Sequence, residues 1–400
     1  MAQKVNSNLL YLDGLRALAA IYVMLYHAVL QYYTSTTTLK GLKLITVAAL
    51  LYGRLSVDLF IVLSGFCLMI PIVKADYLLK GGAILFFKKR IIRILPPYYL
   101  AMLFSMILIW LFIGDKTGTH WDISIPVTYT NIVTHLFLIQ DLFSSQLPKI
   151  NHVFWSISVE CRIYLFFPLL VFLRRKKGVI SIFLFSIFLS YVLYLILSKY
   201  QLINPDINLF VPGVNPYIIL FVFGMLAADY SLSSRKKMEW EKKIPWNLLV
   251  IFFFLVRHAF INLLKSYHVT EIAQSEFSDI FFGMTCFMLL IACAKPTGRE
   301  NKFNYLQKSL SWKPLEFIGS FGYSLYLIHA PLIQILTIYI VNPLHLTNFY
   351  AAILLLILCV LIIVPISYIF FILFERPFMR LNKRFTARQM EIAAVLNPAP

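Results

Sequence analysis

Apolar residues fall in long runs along this chain, and polar and charged residues collect in the shorter stretches between them. Runs long enough to cross bilayer hydrocarbon as a helix, about twenty residues each, lie at 9–33, 47–73, 92–113, 154–173, 179–198, 213–230, 246–264, 278–294, 317–341 and 350–374. The pattern predicts an all-α integral membrane protein of about ten transmembrane helices. One further stretch, IPVTYTNIVTHLFLIQDLF from Ile125 to Phe143, mixes Thr128, Thr130, Asn131, Thr134, His135, Gln140 and Asp141 with its apolar residues.

Charge decides how that stretch lies. Basic clusters at Lys88–Arg93, Arg174–Lys177, Arg235–Lys237, Lys295–Lys313 and Arg376–Arg388 punctuate the apolar runs as cytoplasmic loops do. If all face the cytoplasm, the chain crosses twice between Arg93 and Arg174, and the Ile125 stretch is an extracytoplasmic interfacial or re-entrant helix. Both termini are then cytoplasmic. The intervening connections Asp115–Lys149, Lys199–Asn215 and Lys265–Asp279 are less basic, in agreement with this orientation.

Composition narrows the class further. With 60% hydrophobic and 14% charged residues and a mean hydropathy of +0.78, the chain is excluded from the ordinary soluble globules. Its net charge of +18 sits in loop clusters, so it speaks for a membrane surface and against nucleic acid. The five cysteines, Cys67, Cys161, Cys286, Cys293 and Cys359, lack paired metal spacing and read as buried thiols, with no metal site expected. Asp13 and Arg16 interrupt the first run, which argues for a retained helix rather than a cleaved signal peptide. There is no internal repeat, and the tail QMEIAAVLNPAP is too short to fold alone.

Several ionisable residues fall at membrane depth, where they are costly and mark functional cavities. Arg16 and His27 are eleven residues apart, three helical turns and about 20 degrees, so they share one face about 16 Å apart along the axis. That puts Arg16 near the cytoplasmic edge and His27 in the outer half of the membrane; snorkelling of Arg16 and a structural bond of His27 are the plain alternatives. In GRLSVDLFIVLSGF, Asp58 reaches a depth where it could meet His27. In KKRIIRILPPYY, Arg90 and Arg93 share a helix face at the cytoplasmic surface and suit a phosphate-bearing ligand, or serve as a positive-inside anchor. NHVFWSISVE places Glu160 one to two turns into the fourth run, with Ser156 and Ser158 nearby and His152 at its mouth; a carboxylate there could orient an imidazole. FIGSFGYSLYLIHAPLI puts Tyr323, Ser324, Tyr326 and His329 in the ninth run. Trp121, Tyr129 and Trp155 could stack on sugars or form an interfacial belt.

Taken together, LDGLRALAAIYVMLYH, SVDLFIVLSGF, RIIRILPPYY, WSISVE, GSFGYSLYLIHAPL and FERPF, in this order from residue 11 to residue 378, resemble the bacterial integral-membrane acyltransferases of family three, which O-acylate cell-surface glycans. The resemblance implies a membrane acyltransferase domain over 1–380 with a short cytoplasmic tail at 381–400, in the bacterial inner membrane. It lays the family's functional Arg and His on Arg16 and His27, its paired arginines on Arg90 and Arg93, and its fourth-helix Ser and Glu on Ser158 and Glu160. It departs after Glu160, where the family often has a second acidic residue and Gln and this chain has Cys161 and Arg162. Some members append a periplasmic hydrolase-like domain; none is expected here, so the membrane domain is expected to act alone or with a glycan-assembly partner.

The implied reaction is transfer of an acyl group, acetyl in the first instance, from cytosolic acyl-CoA to a sugar hydroxyl of an extracytoplasmic glycan such as O-antigen or exopolysaccharide, or of a lipid-linked saccharide. Acetyl-CoA is then a substrate and no tightly bound cofactor is expected. Arg90 and Arg93 would hold CoA phosphates, Arg16 assist donor entry, and His27 act as base with Asp58 or Glu160 holding its tautomer. Ser158, Tyr323, Ser324 and His329 would contact substrate. The alternatives are a proton-coupled secondary transporter, which uses the same residue types, and a non-catalytic component of a glycan export complex.

Overall fold

The computed structural model of this 400-residue chain describes residues 9–33, 39–199, 217–233, 238–267, 271–294 and 305–396. Among the described residues the regular elements are all helical. In chain order they are α1 (Leu10–Leu30), α2 (Gly41–Leu50), α3 (Arg54–Val73), α4 (Gly82–Leu108), α5 (Tyr129–Leu136), α6 (Trp155–Lys177), α7 (Val179–Lys199), α8 (Tyr217–Leu232) and α9 (Glu239–Lys242). Then follow α10 (Trp246–Ser266), α11 (Glu271–Ala294), α12 (Tyr305–Leu310), α13 (Lys313–Ser320), α14 (Gly322–Leu336), α15 (Asn348–Leu358), α16 (Val364–Phe370) and α17 (Arg376–Leu396).

Eight helical stretches are long and apolar enough to cross a membrane, and two more, Val179–Val192 and Tyr217–Leu232, are apolar but shorter over the described residues. The protein is therefore an all-α, multi-pass membrane protein. The helices overlap each apolar run read from the sequence, with shifted ends. The third begins at Gly82, so the basic cluster Lys88–Arg93 rides on the helix instead of preceding it. The connection at 199–215 lies almost entirely outside the described residues, as do Arg235–Lys237 and the first part of the Lys295–Lys313 group.

Lipid tails give apolar helices no reason to separate from lipid, so close packing must hold the bundle together. Glycines supply it at two crossings. Where α3 meets α8, a Cβ on Gly65 would strike the Phe221 carbonyl and one on Gly224 the Val62 carbonyl. Where α1 meets α12 and α13, Gly14 and Gly319 lie in the same way against the carbonyls of Leu310 and Asp13. Around these crossings the core is filled by Tyr11, Met24, Val62, Phe66, Phe221 and Met225, all fully buried. In contrast, α10 buries only Trp246 and Arg257 and turns Leu248, Ile251, Phe252 and Leu255 outward, as a lipid-facing helix does.

The Ile125–Phe143 stretch contributes the eight-residue α5 and a single 3-10 turn at Gln140–Leu142, both too short to span. It belongs to a folded loop between α4 and α6. Asp122 accepts hydrogen bonds from Thr117 N (2.7 Å), Thr117 Oγ1 (2.7 Å) and Gly118 N (2.9 Å), which closes the first turn. Thr128 and Asn131 cap α5 reciprocally. Lys149 Nζ donates to the Ile125 carbonyl at 2.8 Å, and Ile150 N donates to the Ser124 carbonyl at 2.9 Å. Two bonds seat the loop on α14: Thr119 Oγ1 to Gln334 Oε1 (2.9 Å) and Asn151 Nδ2 to the Leu327 carbonyl (3.0 Å).

Two outcomes test this packing. Gly224→Leu forces the α3–α8 backbones apart and destabilises by at least about 1–3 kcal/mol, read as a lower melting temperature in detergent. Gly322→Ala, whose Cβ would meet nothing nearer than 3.6 Å, leaves that temperature nearly unchanged. Within the loop, burial pushes the pKa of His135 down to about 4, against the raising effect of its bond to the Asn131 carbonyl. Its folded value lies below the unfolded one, so its neutral burial stabilises fully above about 6.5, and the contribution falls away below it, by about 1 kcal/mol at pH 5.5. His135→Gln therefore flattens the fall in melting temperature between pH 7 and pH 5.5.

Candidate functional site

A cavity of about 160 Å³ opens between α1, α3, α4, α6 and α14. It gathers residues that are far apart in sequence: Arg16 from α1, Arg90 and Arg93 from α4, Glu160 and Tyr164 from α6, and Tyr323 and Tyr326 from α14. The helix periods explain the grouping. Arg90 and Arg93 are one turn apart on α4, as Glu160 and Tyr164 are on α6. Arg16 pairs with Asp13 on its own helix and extends Nη2 to Cys67 Sγ, 2.9 Å away on α3. Tyr164 donates to Glu160, and its hydroxyl lies 2.6 Å from Ser64 Oγ. Tyr323 donates to the Ile94 carbonyl at 3.1 Å. The cavity wall thus carries three guanidiniums, one of them paired with Asp13, and one carboxylate.

His27 is not in the cavity. It stands in a cluster of four imidazoles drawn from α1, α14 and the loop between α4 and α6. His152 Nε2 is 3.2 Å from His27 Nδ1, and the ring centroids of His329 and His120 lie 5.3 Å and 6.4 Å from that of His27. His329, fully buried, donates from Nδ1 to the Tyr326 carbonyl at 2.8 Å, which leaves its Nε2 a lone pair, and that atom has no hydrogen-bond partner. His152 is held from behind by Ser124, whose Oγ is 3.0 Å from its Nδ1, and by the edge of the Trp121 ring at 5.4 Å. Burial lowers the pKa of His120, and burial together with the neighbouring imidazoles lowers that of His152 well below the ordinary value. Both stay neutral at pH 7.

Tyr326 joins the two regions. It lines the cavity, bonds Ser156 Oγ at 2.7 Å, and its ring lies 5.9 Å from that of His329. One path thus runs from three arginines to the imidazoles, with α1 contributing Arg16 at one end and His27 at the other.

The other sequence candidates fall elsewhere. Asp58 does not meet His27. It is fully buried on α3 in a network with Arg54 and with Asp279 of α11, and Arg54 pairs with Asp279 directly. Glu160 lies in the cavity, bonded to Tyr164, and not against His27. Ser158 is buried with no partner for its hydroxyl among the described residues and does not line the cavity, where Ser156 appears in its place. Ser324 donates to Glu375 of the last span, at 2.5 Å. Arg162, which stands where a polar family residue is common, forms an ion pair with Asp141 of the outer loop.

Sequence reading had His152 only as a neighbour of Glu160 and missed His120, Ser124 and Tyr164. Tyr164 was findable one turn after Glu160. The loop residues carry no periodic signal, because turns and caps position them.

His27, His120 and His152 each bring a ring nitrogen within 4.8 Å of the others, the metal-capable grouping found among the described residues. That spread exceeds the roughly 3.3 Å between nitrogens that share a tetrahedral zinc. The five cysteines are free thiols.

The chain is 26% identical over 340 residues to the peptidoglycan O-acetyltransferase OatA of Listeria monocytogenes, covering 82% of this chain and 49% of that protein. It is 27% identical over 352 residues to the O-acetyltransferase OatA of Staphylococcus aureus, covering 83% of this chain and 51% of that protein. It thus spans about half the length of these relatives. No solved structure matches it. The profile of the acyltransferase domain family matches residues 9–372, a range that holds the cavity, the imidazole cluster and the path between them; the chain belongs to the acyltransferase 3 family of membrane proteins.

Proposed function

We propose that this protein is a membrane O-acetyltransferase that moves an acetyl group from cytosolic acetyl-CoA to a sugar hydroxyl of an extracytoplasmic glycan. The observation that carries this reading is the chain of neighbouring side chains from the arginine-lined cavity, through Tyr326 and His329, to His27. Arg90 and Arg93 hold the phosphates of CoA, a task suited to forked guanidiniums, and Arg16 assists entry of the donor. The thin pantetheine arm then extends along the cavity toward the imidazoles. Neutral His27 takes the proton of the attacking hydroxyl. Ser156 and Tyr326, rather than Ser158, are the hydroxyl groups placed to contact the thioester end.

The same reading sets the chain across a bacterial cytoplasmic membrane in ten crossings, with both termini in the cytoplasm. Eight long apolar helices and two shorter ones support the count, and the basic cluster on the first half of α4 and the one closing α6 support the sidedness. The membrane domain extends over 1–380 and residues 381–400 form the tail. The name of the Listeria monocytogenes relative, a peptidoglycan O-acetyltransferase, favours a cell-wall sugar as acceptor over O-antigen, and family membership favours acyl transfer over transport.

Acetyl transfer from labelled acetyl-CoA to the envelope glycan of membranes carrying the protein tests this. His27→Ala lowers kcat by about 10²–10⁴-fold. Arg90→Ala or Arg93→Ala raises KM for acetyl-CoA by about tenfold, the loss of one charge-assisted phosphate contact, with a smaller effect on kcat. Undiminished acetylation by His27→Ala at normal protein level removes His27 from the reaction.

A further inference from the structure

A histidine acts as a base only while the nitrogen facing its substrate carries a lone pair, so something must fix its tautomer. A buried carboxylate usually does this. Among the described residues His27 has none: its ionisable neighbours are the imidazoles His152, His329 and His120, while Asp58 is buried beside Arg54 and Asp279 and Glu160 is bonded to Tyr164.

The chain of contacts behind His27 is Ser124 Oγ to His152 Nδ1 at 3.0 Å, then His152 Nε2 to His27 Nδ1 at 3.2 Å. With neutral rings it admits two proton arrangements. In one, Ser124 donates to His152, His152 donates to His27 Nδ1, and the proton of His27 sits on Nε2, where the ring cannot act as a base. In the other, Ser124 Oγ accepts from His152 Nδ1–H, His152 Nε2 accepts from His27 Nδ1–H, and Nε2 of His27 holds the lone pair. That Nε2 has no hydrogen-bond partner among the described residues.

We propose that His152, held by Ser124, is the positioning residue that fixes His27 in its Nδ1–H tautomer, an imidazole standing where a carboxylate usually stands. The proposal rests on the reading of His27 as the base. His152 suits the task because the loop fixes it on three sides: Ile150 N bonds the Ser124 carbonyl, Trp121 packs on its ring, and Asn151 is tied to α14.

A neutral partner also shapes the proton's fate. As the sugar oxygen bonds to the acetyl carbon, its proton passes to His27 Nε2. As the carbon–sulfur bond breaks, the departing CoA thiolate takes that proton. Without a carboxylate to stabilise it, the imidazolium is the stronger acid and gives up the proton more readily. Base and leaving-group acid are then one ring, and the site returns to its starting state when CoA leaves as the thiol.

The test compares His152→Ala, His152→Gln and Ser124→Ala in the full-length protein, using labelled acetyl-CoA and envelope-glycan membranes, with His27→Ala as reference. His152→Ala is expected to lose about 10²-fold in kcat with KM for acetyl-CoA nearly unchanged, and to regain part of it when imidazole is added. His152→Gln should keep more activity, since its amide oxygen can accept from Nδ1–H, and Ser124→Ala should lose several-fold. Full activity in His152→Ala while His27→Ala is inactive overturns the proposal alone; activity in His27→Ala overturns the base itself. Equal loss in the Gln and Ala variants, with no imidazole rescue, overturns it in favour of a packing role. So does a stoichiometric transition metal in the purified protein that His152→Ala loses, because the same nitrogens would then be ligands.

Discussion

The constraint that organises this protein is the cost of an unpaired charge away from water. Most of its buried ionisable groups answer that cost by pairing between segments. Arg54 joins α3 to Asp279 of α11. Arg174 at the end of α6 takes both oxygens of Asp229 of α8 and the Tyr77 hydroxyl at 2.9–3.2 Å, with its guanidinium 4.1 Å from the Tyr77 ring. Arg162 ties α6 to Asp141 in the outer loop. These pairs fix helices and loop in register, and they account for Asp279, Asp229 and Asp141. What they leave over is informative: Arg90 and Arg93 beside one carboxylate, Glu160, with Arg16 already paired to Asp13, and four histidines with no carboxylate among their described neighbours. Excess of one kind of group in a low-dielectric site is sustained by the ligand or the chemistry it awaits.

The outer loop is the second structural requirement. Helix α1 sets the spacing of Arg16 and His27 but cannot by itself orient the His27 ring. Its surroundings come from His120, Ser124 and His152, and these are placed by the Asp122 turn, the capped α5 and the bonds to α14. Loop and bundle are therefore one functional unit. Arg162 belongs to this unit: its ion pair with Asp141 anchors the loop to the helix that carries Glu160. The departure from the family pattern beside Glu160 thus has a mechanical explanation in this chain.

Helix periodicity made part of this legible in the sequence. The apolar runs gave the spans, and the eleven-residue interval put Arg16 and His27 on one continuous helix, α1. The short interval between Arg90 and Arg93 placed both on one cavity wall. Periodicity fixes which residues share a face, but not which helix the face meets. Asp58 therefore looked available to His27, when its partner Asp279 comes from a helix more than two hundred residues further on. Ser158 and Ser156 differ by two positions, or about 200 degrees of rotation, and only packing tells which one turns to the cavity. The loop histidines were hidden for another reason: hydrogen-bonded turns position them, and such turns leave no periodic trace.

The separation of cavity and imidazole cluster bears on how one membrane protein can serve substrates on opposite sides. A single open channel would leak water and ions and would expose the thioester to hydrolysis. Here the arginine cavity and His27 are divided by the Tyr326 and His329 side chains, which are buried and bonded at close range to Ser156 and to the α14 backbone. A slender pantetheine arm can pass such a partition more easily than a hydrated sugar can. In the proposed reaction the donor is then the molecule that crosses, the acceptor stays outside, and the partition would keep the acetyl group from water until a hydroxyl meets it beside His27.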